Sequence, residues 1–194
     1  ENYQVNGDEI TLNSQDIGVS YGVNNSTGTF SDLNTAINES ASELNLTRNY
    51  TYSDGDSDYI GGIIIDKQIT INGNGFTIDG NNQAMAFNIT ASNVILNNIT
   101  FANCCAEKGG AIFNSGTVTL NNDVFINNRA DRGGAIFTKG NMVLNCSSFN
   151  NNAANKAGGA ITISSGDVDL YDVVFSDNAA DFAGAIINNG GYDL

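Results

Sequence analysis

"GGAIFNSGTVTLNNDVFINNRADRGGAIF" occupies residues 109–137 and closes on the five letters with which it opens. The motif returns as "GGAIT" at 158–162 and "AGAII" at 183–187, so one unit is 24 or 25 residues long. Self-similarity at a fixed period of this size marks a stacked-repeat architecture. Working outward, the apolar residues fall into columns. Phe76, Phe101, Phe125, Phe149 and Phe175 form the most prominent one. Five residues before each stands Ile71, Leu96, Leu120, Leu144 or Leu170, and two before that Ile69, Val94, Val118, Met142 or Val168. Ile112, Ile136, Ile161 and Ile186 follow the glycine motif.

Between the apolar columns the residue varies freely (Thr70, Ile95, Thr119, Val143, Asp169), which is the two-residue period of a strand with one face inside. Each unit therefore reads as three short strands and three corners. A unit of this size buries too little to fold alone and needs neighbours above and below. The predicted fold is all-β: a right-handed parallel β-helix, a solenoid of about six coils, the hand following the crossover preference of parallel strands. At about 4.8 Å per coil the rod is roughly 30 Å long. Gly-Gly-Ala is expected to be a tight corner: glycine supplies positive φ, and Ala111, Ala135, Ala160 and Ala185 keep the column thin. A leucine-rich repeat has a similar length, but its L-x-x-L-x-L pattern is missing.

Composition agrees. The chain has 194 residues, is 41 % hydrophobic and 14 % charged, and contains 32 Asn with no Pro, His or Trp. Asn tolerates left-handed backbone and bonds its own chain at turns, so many corners are expected to use it. The net charge of −14 argues against nucleic acid and against anionic membrane surfaces. No apolar run reaches membrane-spanning length, and no signal peptide is recognisable. Cys104, Cys105 and Cys146 fit neither a disulfide framework nor a zinc site and are expected to be structural thiols.

The pattern breaks before residue 60. Residues 1–29 carry no repeat; 8–13 alternates as a strand would, and the remainder reads as linker. Residues 30–59 are read as a cap. Ser31 is the expected N-cap of a short helix over 32–39, with Leu33, Ala36 and Ile37 on its inner face, and 43–52 is the opening strand. Residues 60–194 are the repeats, and no capping helix follows their last coil; the expectation is that either the native chain continues or a partner, such as a second subunit stacked by self-association, covers this edge.

The units "FINN" 125–128, "FNNN" 149–152 and "FSDN" 175–178, with the GGAI motifs, resemble the repeats of polymorphic membrane proteins and related autotransporter-type adhesins. "FANC" at 101–104 departs from that pattern by Cys for Asn. The front half, "GTFSDLNTAIN", "ITINGNGFTIDGNN" and "FNITASNVILNNITF", is similar to adhesin-like surface proteins of methanogenic archaea. The resemblance implies a pectin-lyase-like β-helix on a cell surface, extracellular, with adhesion as its role.

Candidate sites are few. Asp54, Asp56 and Asp58 stand at alternate positions, as in the opening of a Ca²⁺ loop. Tyr59 and Ile65 occupy the places of the required Gly and Glu, so an EF-hand is excluded and Ca²⁺ is the one cofactor these residues suggest. Sequons mark Asn24, Asn25, Asn38, Asn45, Asn49 and Asn88 as glycosylation candidates, with Asn98 and Asn145 in repeat columns. For catalysis, Asp123 with Asp172, or Asp131 with Asp181, could pair as the two carboxylates of a glycosidase. Without His no Ser-His-Asp or Cys-His set exists. The expected function is a non-enzymatic adhesin-like rod that contacts a cell-surface glycan or a protein of another cell. The polar stretches 104–108, 127–132, 151–157 and 177–182 stack on one side as the expected face. The alternatives are a polysaccharide-active enzyme, lyase or glycosidase, and a self-assembling filament subunit.

Overall fold

The computed structural model describes residues 2–6, 9–14, 17–22 and 26–190. The chain winds through six turns of a parallel β-helix whose strands line up in four sheets, here called faces. Face I holds Glu43–Asn45, Thr70–Asn72, Val94–Asn97, Thr117–Asn121, Asn141–Asn145 and Val168–Tyr171. Face II holds Tyr50–Thr51, Thr77–Asp79, Thr100–Ala102, Val124–Ile126, Ser148–Asn150 and Val174–Ser176. Face III has four strands: Cys105–Lys108, Arg129–Arg132, Ala153–Ala157 and Ala179–Phe182. Face IV holds Ile63–Ile65, Phe87–Ile89, Ile112–Asn114, Ile136–Thr138, Ile161–Ile163 and Ile186–Asn188. The stretches expected as polar loops are thus paired strands of a fourth sheet from the third turn onward.

The apolar columns stack in register. Val94, Val118, Met142 and Val168 pair in succession, as do Ile71, Leu96, Leu120, Leu144 and Leu170. The rings of Phe101, Phe125, Phe149 and Phe175 pile face to face with centroids 4.9, 4.6 and 5.0 Å apart. One residue leaves its column. Phe101 pairs with Ile78, so Ile78 and not Phe76 continues the file downward. The corner "NGNG" at 72–75 carries two more residues than its counterparts. Phe76 lies half-buried in that longer corner, while Ile78 is fully buried.

Corners explain the composition. Asn98, Asn122, Cys146 and Asp172 turn the chain from face I to face II with φ near +50°. Asn103, Asn127, Asn151 and Asp177 do the same from face II to face III. Between faces III and IV, Gly109, Gly133 and Gly158 take φ of 66°, 63° and 64°, and Ala183 takes 56°. The second glycine of the motif has a different job. A Cβ on Gly134 would lie 2.1 Å from the Gly159 carbonyl oxygen of the next turn, so this position is fixed by stacking distance.

The lower end is covered by a helix, Phe30–Glu39. Its N-cap is Thr29, two residues before the expected Ser31. Thr29 N–H donates to Asp32 Oδ2 at 3.0 Å, and Asp32 N–H donates to Thr29 Oγ1 at 3.1 Å. This reciprocal capping box begins the helix earlier. Phe30, Leu33 and Ile37 are buried beneath it, with Phe30 edge-on to Tyr52 at 5.5 Å, whereas Ala36 is only half-buried. The expected strand 43–52 is broken by a corner into Glu43–Asn45 and Tyr50–Thr51, so the first turn begins inside the segment read as cap. In the extension, three antiparallel strands, Asn2–Asn6, Glu9–Ser14 and Ile17–Gly22, replace the single strand and linker expected there.

Candidate functional site

A difference in length between the second and third turns creates a recess. In the second turn, Ala84 O accepts Cys105 N–H at 3.0 Å, and Ala86 and Phe87 N–H both reach Ala111 O at 3.0 Å. Between those two points the second turn uses one residue, Met85, where the third uses five, 106–110. The longer segment overhangs the shorter one. The space beneath is a groove of about 510 Å³, bounded by Cys105–Lys108 above and by Gln83, Met85, Ile60 and Gly61 below. Its end wall is face IV, where Asn88 pairs with Phe113 and Phe113 with Phe137.

These three side chains point outward from the solenoid, yet Phe137 is 1 % exposed. Face III folds over it: Lys108 Nζ sits 5.3 Å from the Phe137 ring centre, a cation–π distance. Thr162 Oγ1 donates to Ala157 O at 3.0 Å and ties faces III and IV together again, two turns further on. Phe113 stacks on Phe137 at 5.6 Å and 6°. Asn88, one rung lower, ends the aromatic file and leaves its Oδ1 buried without a hydrogen-bond partner.

Face III carries four of the seven basic residues, Lys108, Arg129, Arg132 and Lys156. Asp131 accepts from Asn155 Nδ2 at 2.8 Å and Lys156 Nζ at 3.0 Å. The Asn155 amide first, and then Lys156, hold its carboxyl below the usual carboxylate value. A second recess of about 320 Å³ opens on this surface between Cys105, Arg129, Asp131 and Asn155. Cations, an aromatic wall and amides on one side of a strongly acidic rod give an amphipathic surface suited to binding.

The other candidate residues are dispersed. Asp54, Asp56 and Asp58 lie in a 3₁₀ turn and do not converge. Asp56 is buried, and its carboxylate accepts from Ser53 Oγ (2.8 Å), Ser53 N–H (2.9 Å), Ser31 N–H (2.9 Å) and Phe30 N–H (3.3 Å). Burial opposes its charge, but these donors outweigh burial and lower its pKa. Asp56 thus anchors the N-terminus of the capping helix, while Asp54 and Asp58 are exposed. Among the described residues no group of three His, Cys, Asp or Glu is placed to hold a metal.

Asp123 and Asp172 are not a pair. Asp123 is fully buried, and Asp172 is an exposed corner residue two turns away. Asp123 Oδ1 accepts Ile99 N–H at 2.8 Å, its Oδ2 is buried without a partner, and burial pushes its pKa up to about 7. Asp181 is exposed, two turns from Asp131.

Of the sequons, Asn38, Asn45 and Asn49 are exposed, Asn88 lines the groove, and Asn24 and Asn25 lie outside the described residues. Asn145 donates its amide to Asn121 at 2.8 Å. The three cysteines are free: Cys104 buried with its thiol pushed up to about 12 by burial, Cys105 half-buried in the groove, Cys146 exposed. Sequence reasoning missed Asn88 as a groove residue. Its signal was the Asn–Phe–Phe column, visible once the face IV register is known.

No curated protein and no solved structure matches the chain. Residues 124–139 match the Chlamydia polymorphic membrane protein repeat. That stretch runs through one strand each of faces II, III and IV and contains both "FINN" and "GGAIF", so the chain is similar to that repeat family over one passage of its solenoid.

Proposed function

We propose that this protein is an extracellular, cell-surface adhesin-like rod whose face III and its groove contact a glycan or a protein of another cell. The observation that carries this reading is the concentration of four of the seven cations on face III, with Lys108 lining the aromatic-walled groove and Arg129 the second recess, in a chain of net charge −14. The similarity to a repeat of surface-type proteins supports it. Binding is favoured over polysaccharide cleavage because Asp123 is inside the rod and Asp131 is held by Asn155 and Lys156. The test is a whole-cell and glycan-array binding screen of the intact chain against a variant carrying Arg129→Ser, Asp131→Ser and Lys156→Ser. Binding should fall at least about tenfold in the variant, the cost of roughly one or two charge-assisted hydrogen bonds. A control with Thr119→Ser on face I should bind as the parent does. Equal binding by all three proteins removes face III as the contact surface.

A further inference from the structure

Face III is the one face with fewer strands than the rod has turns, four against six. Its first strand, Cys105–Lys108, is therefore a sheet edge in the middle of the molecule, and all four of its residues line the groove. Sheet edges offer backbone groups in register and attract further strands. Cys105 N–H points toward the turn below, where Ala84 O accepts it. Ala106 pairs upward with Ala130, so Cys105 C=O and Glu107 N–H on either side of it also face the turn below, whereas Glu107 C=O turns up toward Arg132 in the register that places Gly109 N–H on Arg132 O. Beneath Glu107, however, the chain has already cut across through Met85. The slot beyond is closed by Met85, Ile60 and Phe113, and the buried Asn88 Oδ1 lies there without a donor.

We propose that this groove accepts an extended segment of a partner protein, which adds beneath Cys105–Lys108 as a further strand of face III. The segment bonds Cys105 C=O and Glu107 N–H through its own backbone, and one large apolar side chain enters the slot against Phe113. A donor group beside it meets Asn88 Oδ1. A polysaccharide has no run of amides to match such an edge, and the slot wall of Met85, Ile60 and Phe113 is apolar. The cations of face III make acidic residues the expected flanks of that apolar residue. The inference rests on the surface-binding role proposed for face III and narrows its partner to a protein.

The test selects phage-displayed random octapeptides on the intact chain. Selected peptides should alternate apolar and polar residues between acidic flanks and should slow amide exchange at 106–108. Their affinity should fall at least about tenfold in Glu107→Pro, which removes the groove-facing N–H at an edge that tolerates proline. It should fall as far in Asn88→Phe, which fills the slot by extending the Phe113–Phe137 stack. Glu107→Pro should leave the melting temperature unchanged, and Asn88→Phe should leave it unchanged or raise it. Absence of any enriched peptide, or affinities indifferent to both variants, overturns the proposal. So does displacement of the peptides by an arrayed glycan, or by a synthetic peptide of residues 1–25, which assigns the groove to this chain itself. Cell binding that persists in both variants overturns only the strand-acceptor site; cell binding absent from the parent protein overturns the surface role.

Discussion

Two ladders of asparagine climb this rod, one outside and one inside, and they use the same bond. The outer ladder runs through Asn45, Asn72, Asn97, Asn121 and Asn145, each amide donating to the Oδ1 of the turn below at 2.8–3.0 Å. The inner one runs through Asn128, Asn152 and Asn178, donating upward at 2.9 Å. Outer amides touch water, and their partners are other side chains: each bonds its neighbours in the ladder, and Asn72 donates to Glu43 as well. Asn152 is 0 % exposed and makes four side-chain bonds: Oδ1 accepts Asn128 N–H and Nδ2, and Nδ2 donates to Phe125 O and Asn178 Oδ1. Here the Asn of F-x-x-N satisfies backbone groups that the corner between faces II and III turns inward. The lesson is that one residue type in a repeat column has two unrelated values, set by whether water can replace its bonds.

The largest expected contrast is Asn152→Leu. It leaves Asn128 N–H and Nδ2, Phe125 O and Asn178 Oδ1 without that partner inside the rod. Each such group costs about 1–3 kcal/mol, so a loss of about 4 kcal/mol or more in unfolding free energy is expected by denaturant titration. A loss below about 1 kcal/mol would mean that water enters the inner ladder and that the two ladders are equivalent.

Asp123 sharpens the comparison, because it is an interior rung with a charge in place of an amide. Its Oδ1 accepts Ile99 N–H and its own N–H donates to Ser147 Oγ at 3.1 Å, so Ser is the neutral occupant of the same column one turn on. Burial raises its folded pKa from 3.8 to about 7. The folded chain therefore keeps a proton that the unfolded chain releases. The associated stability is complete below pH 3.8 and is lost as pH rises to about 7. The loss is about 4 kcal/mol, from roughly three pKa units at about 1.4 kcal/mol each. Asp123→Ser should remove that slope and melt higher than the parent at pH 8. A parent whose melting temperature does not fall across this window contradicts the buried carboxylate.

The smallest effect belongs to the outer ladder. Asn121→Ala removes one bond to Asn97 and one from Asn145, both half-exposed, and should cost about 0.5–1 kcal/mol. A cost as large as that of Asn152→Leu would place the outer ladder on an equal footing with the inner one.

The sequence by itself determined the winding. Val118, Leu120, Phe125 and Ile136 stack on their counterparts because like side chains at like intervals can only align if every turn closes in the same length. Gly109, Gly133 and Gly158 marked corners for the same local reason: a positive φ is a property of one residue. The covering helix was legible too, since Leu33 and Ile37 share a face, although Thr29 and Asp32 set its start through a reciprocal bond.

Tertiary structure alone decided the rest. Two extra corner residues moved Phe76 out of its column. A fourth sheet arose where the sequence shows only polar stretches, because "NRADR" and "NAANKA" lack an apolar alternation and pair through backbone and polar side chains, Asn155 and Lys156 on Asp131 among them. Asp56 left its neighbours to cap a helix, Asp123 went inside while Asp172 stayed out, and Met85 cut short the second turn beneath the overhang of the third. Each of these depends on how far one turn reaches compared with the next. That relation joins residues some two dozen positions apart, so no local pattern records it.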